Sequence, residues 1–127
     1  MRRLFLLLTA TCLAAVAAAA PLPPAARAEI DGLLSRLESS GCAFRRNGNW
    51  YSAGEAKAHL LRKLAYLEDK GLVQTADQFI ERAASASSMS GEPYLVKCGN
   101  DAPVNSGAWL ASQLRAMRAA ASSSDRR

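Results

Sequence analysis

Apolar residues recur at helical spacing in four separate stretches, with short strand-like runs between them. Residues 29–39 place Ile30, Leu33, Leu34 and Leu37 on one helical face, the i, i+3, i+4, i+7 pattern of an amphipathic segment. Gly41 stands where a left-handed residue would end that helix. In CAFRRNGNWYS, residues 42–52, Asn47-Gly48 is a strong hairpin signal, because a type I′ turn needs positive φ at both central positions. The two arms are expected at 42–46 and 49–51. Ser52 followed by Glu55 is a capping box, opening a helix to about Lys70 with Ala56, Leu60, Leu64 and Leu67 inward and Gly71 as its stop. Thr75 and Gln78 repeat the arrangement for a helix over 76–86 that buries Phe79, Ile80 and Ala83.

Pro93 bars helical continuation through the residue before it, so YLVKC, 94–98, reads as a strand. Beyond a loop containing Pro103, Ser106 is placed to cap a last helix with Trp109, Leu110, Leu114 and Met117 inward. The tail from about residue 121 is expected to fray. The order α-β-β-α-α-β-α gives an α+β class: a small three-stranded antiparallel sheet, the hairpin plus one later strand, with four helices on one side.

The first 28 residues stand apart from this pattern. Arg2 and Arg3 precede an apolar run from Leu4 to Ala20, and small residues follow, which is the layout of a secretory signal peptide. Ala18-Ala19-Ala20 offers a cleavage pattern, but Pro21 would sit just after the cut. Ala26-Arg27-Ala28 is the better site, so the expected cut is after Ala28. The run is too short and alanine-rich for a membrane anchor, and Thr11 is a poor residue before a lipidated Cys12. The expectation is a single periplasmic domain, 29–127, with no transmembrane segment once the signal is removed.

Charge and cysteine content change once the leader is set aside. Arg2, Arg3 and Arg27 leave with it, so thirteen basic residues face eleven acidic ones, too mild a balance for a nucleic-acid partner. Cys42 and Cys98 remain as an even pair in an exported chain, which favours a disulfide over two separate buried thiols. Closing the long loop between them would disfavour the unfolded state by roughly 4 kcal/mol.

Several blocks are familiar. RNG, then EAKAHLLRKL, then TADQFIERAASASSMSGEPYLVK resemble a family of short exported bacterial proteins of unknown function that includes YfeK. The resemblance covers most of Phe44 to Lys97. Its most specific part is T-A-x-Q-F-I, a serine cluster, S/T-G-x-P-Y and a β-branched run. It implies a periplasmic protein of a Gram-negative bacterium and brings no catalytic residues with it.

The remaining candidates come from side-chain chemistry. On helix 53–70, Glu55, His59, Arg62 and Tyr66 follow i, i+4, i+7 and i+11 and so form one stripe. Glu55, one turn before the only histidine, would favour its imidazolium. The bland reading is a solvated helix edge with a weak ion pair. The serines at 85, 87, 88 and 90 offer a nucleophile to His59, but there is no G-x-S-x-G elbow, and serines equally end helices and form turns. On the hairpin, Arg45, Arg46, Trp50 and Tyr51 can recognise a sugar, peptide or anion, although Phe44 and Trp50 read first as core. One histidine and a pair of bonded cysteines make no zinc set, so no metal and no cofactor are expected.

The reading is a small non-enzymatic binding or accessory module of the cell envelope, its partner an envelope protein, a peptide or a glycan. The alternative is a hydrolase-like enzyme using His59 with a serine of 85–90. The expected binding residues are Arg46, Glu55, His59, Arg62, Ser88, Ser90 and Tyr94, of which Glu55, His59, Arg62, Ser88 and Tyr94 are expected to converge on one polar pocket.

Overall fold

The computed structural model describes residues 10–14 and 21–126. Most of the expected export signal, including its positive start and residues 15–20, lies outside the described residues. Eight elements follow: α1 Pro24–Ser39, β1 Ala43–Arg46, β2 Asn49–Tyr51, α2 Ala53–Asp69, α3 Ala76–Ala83, β3 Leu95–Lys97, β4 Val104–Asn105 and α4 Ser106–Asp125. The class is α+β.

α1 begins five residues before the expected Glu29. Pro24 occupies its first turn, where a fixed φ and a missing N–H cost nothing, and Ala26 is buried. The Ser40 hydroxyl donates to the Leu37 carbonyl at 2.6 Å, and Gly41 then turns left-handed at φ 68. The hairpin turn is as the sequence predicts, with Asn47 at φ 48 and Gly48 at φ 82.

That two-residue turn sets the register: Phe44 faces Tyr51, Arg45 faces Trp50 and Arg46 faces Asn49. Alternation then sends Phe44, Tyr51 and Arg46 to the helix side and Arg45 and Trp50 to the other. Phe44 is 1% exposed, whereas Trp50 is 44% exposed. The expectation that Trp50 is core is therefore wrong. Its indole lies under the Arg45 guanidinium, 5.9 Å from ring centroid to Cζ, on the far face of the sheet.

The Ser52–Glu55 capping box forms with both bonds, 3.2 Å to the Glu55 N–H and 2.9 Å from the Ser52 N–H. α2 buries Ala53, Ala56, Leu60, Leu64 and Leu67. α3 is capped by Thr75, which accepts from the Gln78 N–H at 3.0 Å, but it ends at Ala83 rather than 86. The Ser85 hydroxyl takes the Ile80 carbonyl at 2.7 Å, and Ala86 bridges to Pro93. The chain therefore leaves the helix to enclose the 87–92 loop.

The sheet has four strands, not three, in the order β2-β1-β3-β4, all antiparallel. β4 is only Val104–Asn105, too short to carry an alternation, and it pairs with β3 immediately before α4 starts. Ser106, expected as a cap, is the first residue of α4; its N–H donates to the Tyr94 carbonyl at 2.8 Å and its hydroxyl has no partner among the described residues. α4 continues through the tail expected to fray, because Ser123 and Ser124 bond back to the carbonyls of Ala119 and Ala120 at 3.1 and 3.2 Å.

α2 packs on β1 and α4 on β3 and β4, with α1 and α3 completing the helical layer. Ile30, Leu33, Leu34, Leu37, Phe44, Leu60, Phe79, Val96, Leu110 and Leu114 form one continuous core. The register Ala43 to Lys97 brings the next pair outward, Cys42 and Cys98, opposite one another, and they are joined in a disulfide. The bond staples the start of β1 to the end of β3, on the side of the sheet away from the hairpin turn.

Candidate functional site

α2 leans against β1, so the side chains it presents toward the hairpin end meet Arg46. The Arg46 guanidinium stands 3.2 Å from Nδ1 of His59 and 4.9 Å from the centroid of the Tyr51 ring. On the other side of the imidazole, Nε2 is 3.3 Å from the Tyr94 hydroxyl. Lys63, one turn after His59 on α2, reaches the same hydroxyl at 3.1 Å and the Ala86 carbonyl at 3.3 Å. Tyr94 is 2% exposed and its ring packs against Phe44, centroid to centroid 5.3 Å. The hydroxyl is thereby held from the core side while its polar end faces α2.

The proton positions follow from donor chemistry. A guanidinium only donates, so the His59 Nδ1 accepts from Arg46 and the neutral ring carries its proton on Nε2. That N–H donates to the Tyr94 oxygen, which also accepts from Lys63. Both acceptor directions of the phenol are then used, and its own proton has no acceptor among the described residues. The cluster holds more donor hydrogens than acceptors: Nδ1 of His59, the Tyr94 oxygen and the Ala86 carbonyl do not use all the hydrogens that Arg46, Lys63 and Tyr94 bring.

The electrostatics agree. Burial pushes His59 from 6.5 down to about 4, and the Arg46, Lys63 and Arg62 charges push the same way. Burial also lowers Lys63, with Arg46 adding to it, and raises Tyr94 against a smaller opposing effect of Arg46. The expectation that Glu55 favours the imidazolium is therefore corrected. The Glu55 carboxylate is engaged by the Ser52 N–H in the helix cap, and His59 has cations for neighbours.

Three depressions open around this cluster and share His59. One of about 240 Å³ is lined by Phe44, Arg46, Tyr51, Glu55, His59 and Arg62. A second, about 210 Å³, lies over Tyr94 between Arg46, Lys63 and Ser88. The third, about 390 Å³, runs along α2 past Arg62, Lys63, Tyr66 and Leu67 to Arg82 of α3. Of the residues expected from sequence, Arg46, Glu55, His59, Arg62, Ser88 and Tyr94 line these neighbouring depressions. Ser90 does not; its hydroxyl donates to Oδ1 of Asn47 at 2.8 Å, tying the 87–92 loop to the hairpin turn. Arg45 and Trp50 lie on the other face of the sheet.

Lys63 and Arg82 were missed. Lys63 stands at i+4 from His59, a signal present in the sequence, but Arg62 at i+3 drew the stripe instead. Arg82 comes from a separate helix and no local pattern could link it to His59. Its guanidinium donates to the Leu72 carbonyl, which anchors it at the far end of the third depression.

His59 is not poised as a base toward Ser88, since both ring nitrogens face other groups and no carboxylate orients the ring. Among the described residues no three His, Cys, Asp or Glu side chains gather as metal ligands would, and no helix is long and apolar enough to cross a membrane.

Fold and site together define a small disulfide-stapled α+β domain with a cationic, donor-rich cleft between its hairpin, its second helix and a serine-rich loop. The chain belongs to the family of unknown function DUF5329, which matches residues 24–118. It is similar to the uncharacterized protein YfeK of Salmonella typhimurium strain LT2, with 38% identity over 68 residues. That match takes in 53% of this chain and 55% of the relative, so the chain spans about half the length of the curated relative it matches. No solved structure matches the chain.

Proposed function

We propose that this protein is a small ligand-binding module of the bacterial cell envelope, acting in the periplasm, and that its ligand presents an anionic group to the cleft over Tyr94. One observation carries the reading: Arg46, His59 and Lys63 converge on each other and on the Tyr94 hydroxyl with more donor hydrogens than acceptors. A bound carboxylate or phosphate oxygen would accept from the Tyr94 proton and from the unused hydrogens of Lys63 and Arg46, forming charge-assisted bonds. An acidic peptide, an anionic glycan or a small anion would each present that group.

Calorimetric titration of the purified protein with inorganic phosphate and with acetate, at low salt, tests the reading. Saturable binding is expected, weakening as salt screens the cations and weakened roughly tenfold or more in Lys63→Gln, since a hydrogen bond to a charged group contributes about 1.5–3 kcal/mol. Absence of binding, or binding indifferent to Lys63→Gln, refutes it.

The hydrolase alternative draws on a single observation, that His59 and Ser88 line one depression. A panel of acyl and glycosyl substrates with His59→Ala and Ser88→Ala variants decides it, turnover abolished by either change being the result in its favour. Export itself rests on the leader pattern of residues 1–28. A cut after Ala28 would start the mature chain inside α1, removing the buried Ala26 and the Arg27 ion pair with Glu68, whereas a cut after Ala20 leaves α1 whole. The intact helix counts for the earlier cut and Pro21 directly after it counts for the later one, and intact-mass analysis of protein from a periplasmic extract separates the two.

A further inference from the structure

We infer that the cleft is built for a ligand with two anionic groups joined by a short apolar spacer, the first over Tyr94 and the second between Arg62 and Arg82. The inference rests on the anion-binding reading above and deepens it. The two stations adjoin: the depression over Tyr94 and the one that runs to Arg82 share His59, Lys63 and Ser88 as common lining.

The second station has its own cations. Arg62 makes no hydrogen bond or ion pair among the described residues. Arg82 is held by the Leu72 carbonyl, and its remaining N–H groups make no hydrogen bond among the described residues. The ion pairs of the described residues involve Arg27, Lys57 and Arg118 only, so none of Arg46, Arg62, Lys63 and Arg82 is neutralised by a carboxylate. The lining of the third depression also includes Tyr66, 62% exposed, and Leu67, apolar surface against which a short spacer can lie. Lys63 reaches the first station and Arg62 the second; as consecutive residues of α2 they diverge by about 100° around a helix roughly 10 Å wide, which separates the stations by roughly 5–10 Å. That span suits an α,ω-dicarboxylate or a bisphosphonate of a few methylenes.

The test compares chain-matched ligands: glutarate and adipate against pentanoate and hexanoate, and propane-1,3-bisphosphonate against propylphosphonate. The wild-type protein should bind each dianion at least about tenfold tighter than its monoanion, the factor expected from one added charge-assisted contact. The carboxylate and phosphonate arms show which anion is preferred. The dianion-to-monoanion ratio should fall toward one in the Arg62→Gln/Arg82→Gln double variant. Arg62→Gln alone, which removes no bond within the protein, should lower the ratio in part, and thermal unfolding confirms that each variant is folded. A ratio near one in the wild type, or a ratio unchanged in the double variant, overturns the two-station inference while monoanion binding leaves the anion site standing. Failure of every ligand to bind removes both.

Discussion

With a single histidine in the chain, acid titration of His59 can be followed by NMR without a competing imidazole signal. The folded ring is crowded by Arg46 from β1 and by Arg62 and Lys63 on its own helix, while Tyr94 and Ser88 face it without charge and Glu55 is turned to the Ser52 cap. Burial and these cations lower it from 6.5 to about 4. The sign follows directly. Between those values the unfolded chain takes up a proton that the folded chain refuses, so stability falls as pH drops through the window and levels off below about 4. At about 1.4 kcal/mol per tenfold the fall has an upper bound of about 3 kcal/mol. The ring is partly solvated and its neighbours are screened, which reduces the expected loss to about 1 kcal/mol. Urea unfolding midpoints at intervals from pH 7.5 to 4, for wild type and His59→Gln, isolate the contribution because the carboxylates titrate alike in both. A saturating anion should move the NMR midpoint upward, since a negative charge beside the ring favours the imidazolium. An imidazole midpoint at or above 6.5 in the free protein, or parallel stability profiles for the two proteins, would refute the reasoning.

Replacing Cys42 and Cys98 by alanine should lower stability by up to roughly 4 kcal/mol, the loop-closure value for a separation of 56 residues, and denaturant unfolding of oxidised, reduced and double-variant protein checks it. Gly48→Ala should cost about 1–2 kcal/mol, because φ 82 forces a side chain into the left-handed region. Since the same turn positions Arg46, that variant should also weaken phosphate binding in the calorimeter.

Much of the fold was legible because the signals were local. The capping box at Ser52, the Asn47-Gly48 turn and the apolar faces of α1 and α2 are each written within about a dozen residues, and tertiary packing agrees with them. The misses are places where the decisive partner is distant. β4 is two residues long and exists only because β3 is there to pair with it. Ser85 leaves the helical pattern because Ala86 and Tyr94 close the next loop. Trp50 was assigned to the core by its hydrophobicity, but in a two-residue hairpin the register decides the face, and Trp50 stands opposite Arg45 rather than Phe44.

The site shows the same division more sharply. The helical stripe named His59 and Arg62, which line neighbouring depressions beside Arg46, and the strand expected from Tyr94 begins one residue later, at Leu95. What the sequence could not reveal is the sign of the environment. One-dimensional spacing put a carboxylate next to the histidine and suggested an acid–base pair. In three dimensions Glu55 is occupied by the cap that starts its own helix, because an unbonded N–H at a helix start is costly and Ser52 is the nearest claim on that carboxylate. Its withdrawal leaves the imidazole to Arg46, which arrives from another element, and to Lys63, which the Tyr94 hydroxyl draws inward. A capping residue and a functional residue compete for one carboxylate, and the local bond wins. The consequence is a cleft whose neutral histidine stands between cations, and it is that arrangement, rather than a paired acid and base, on which the proposal of an anionic ligand rests.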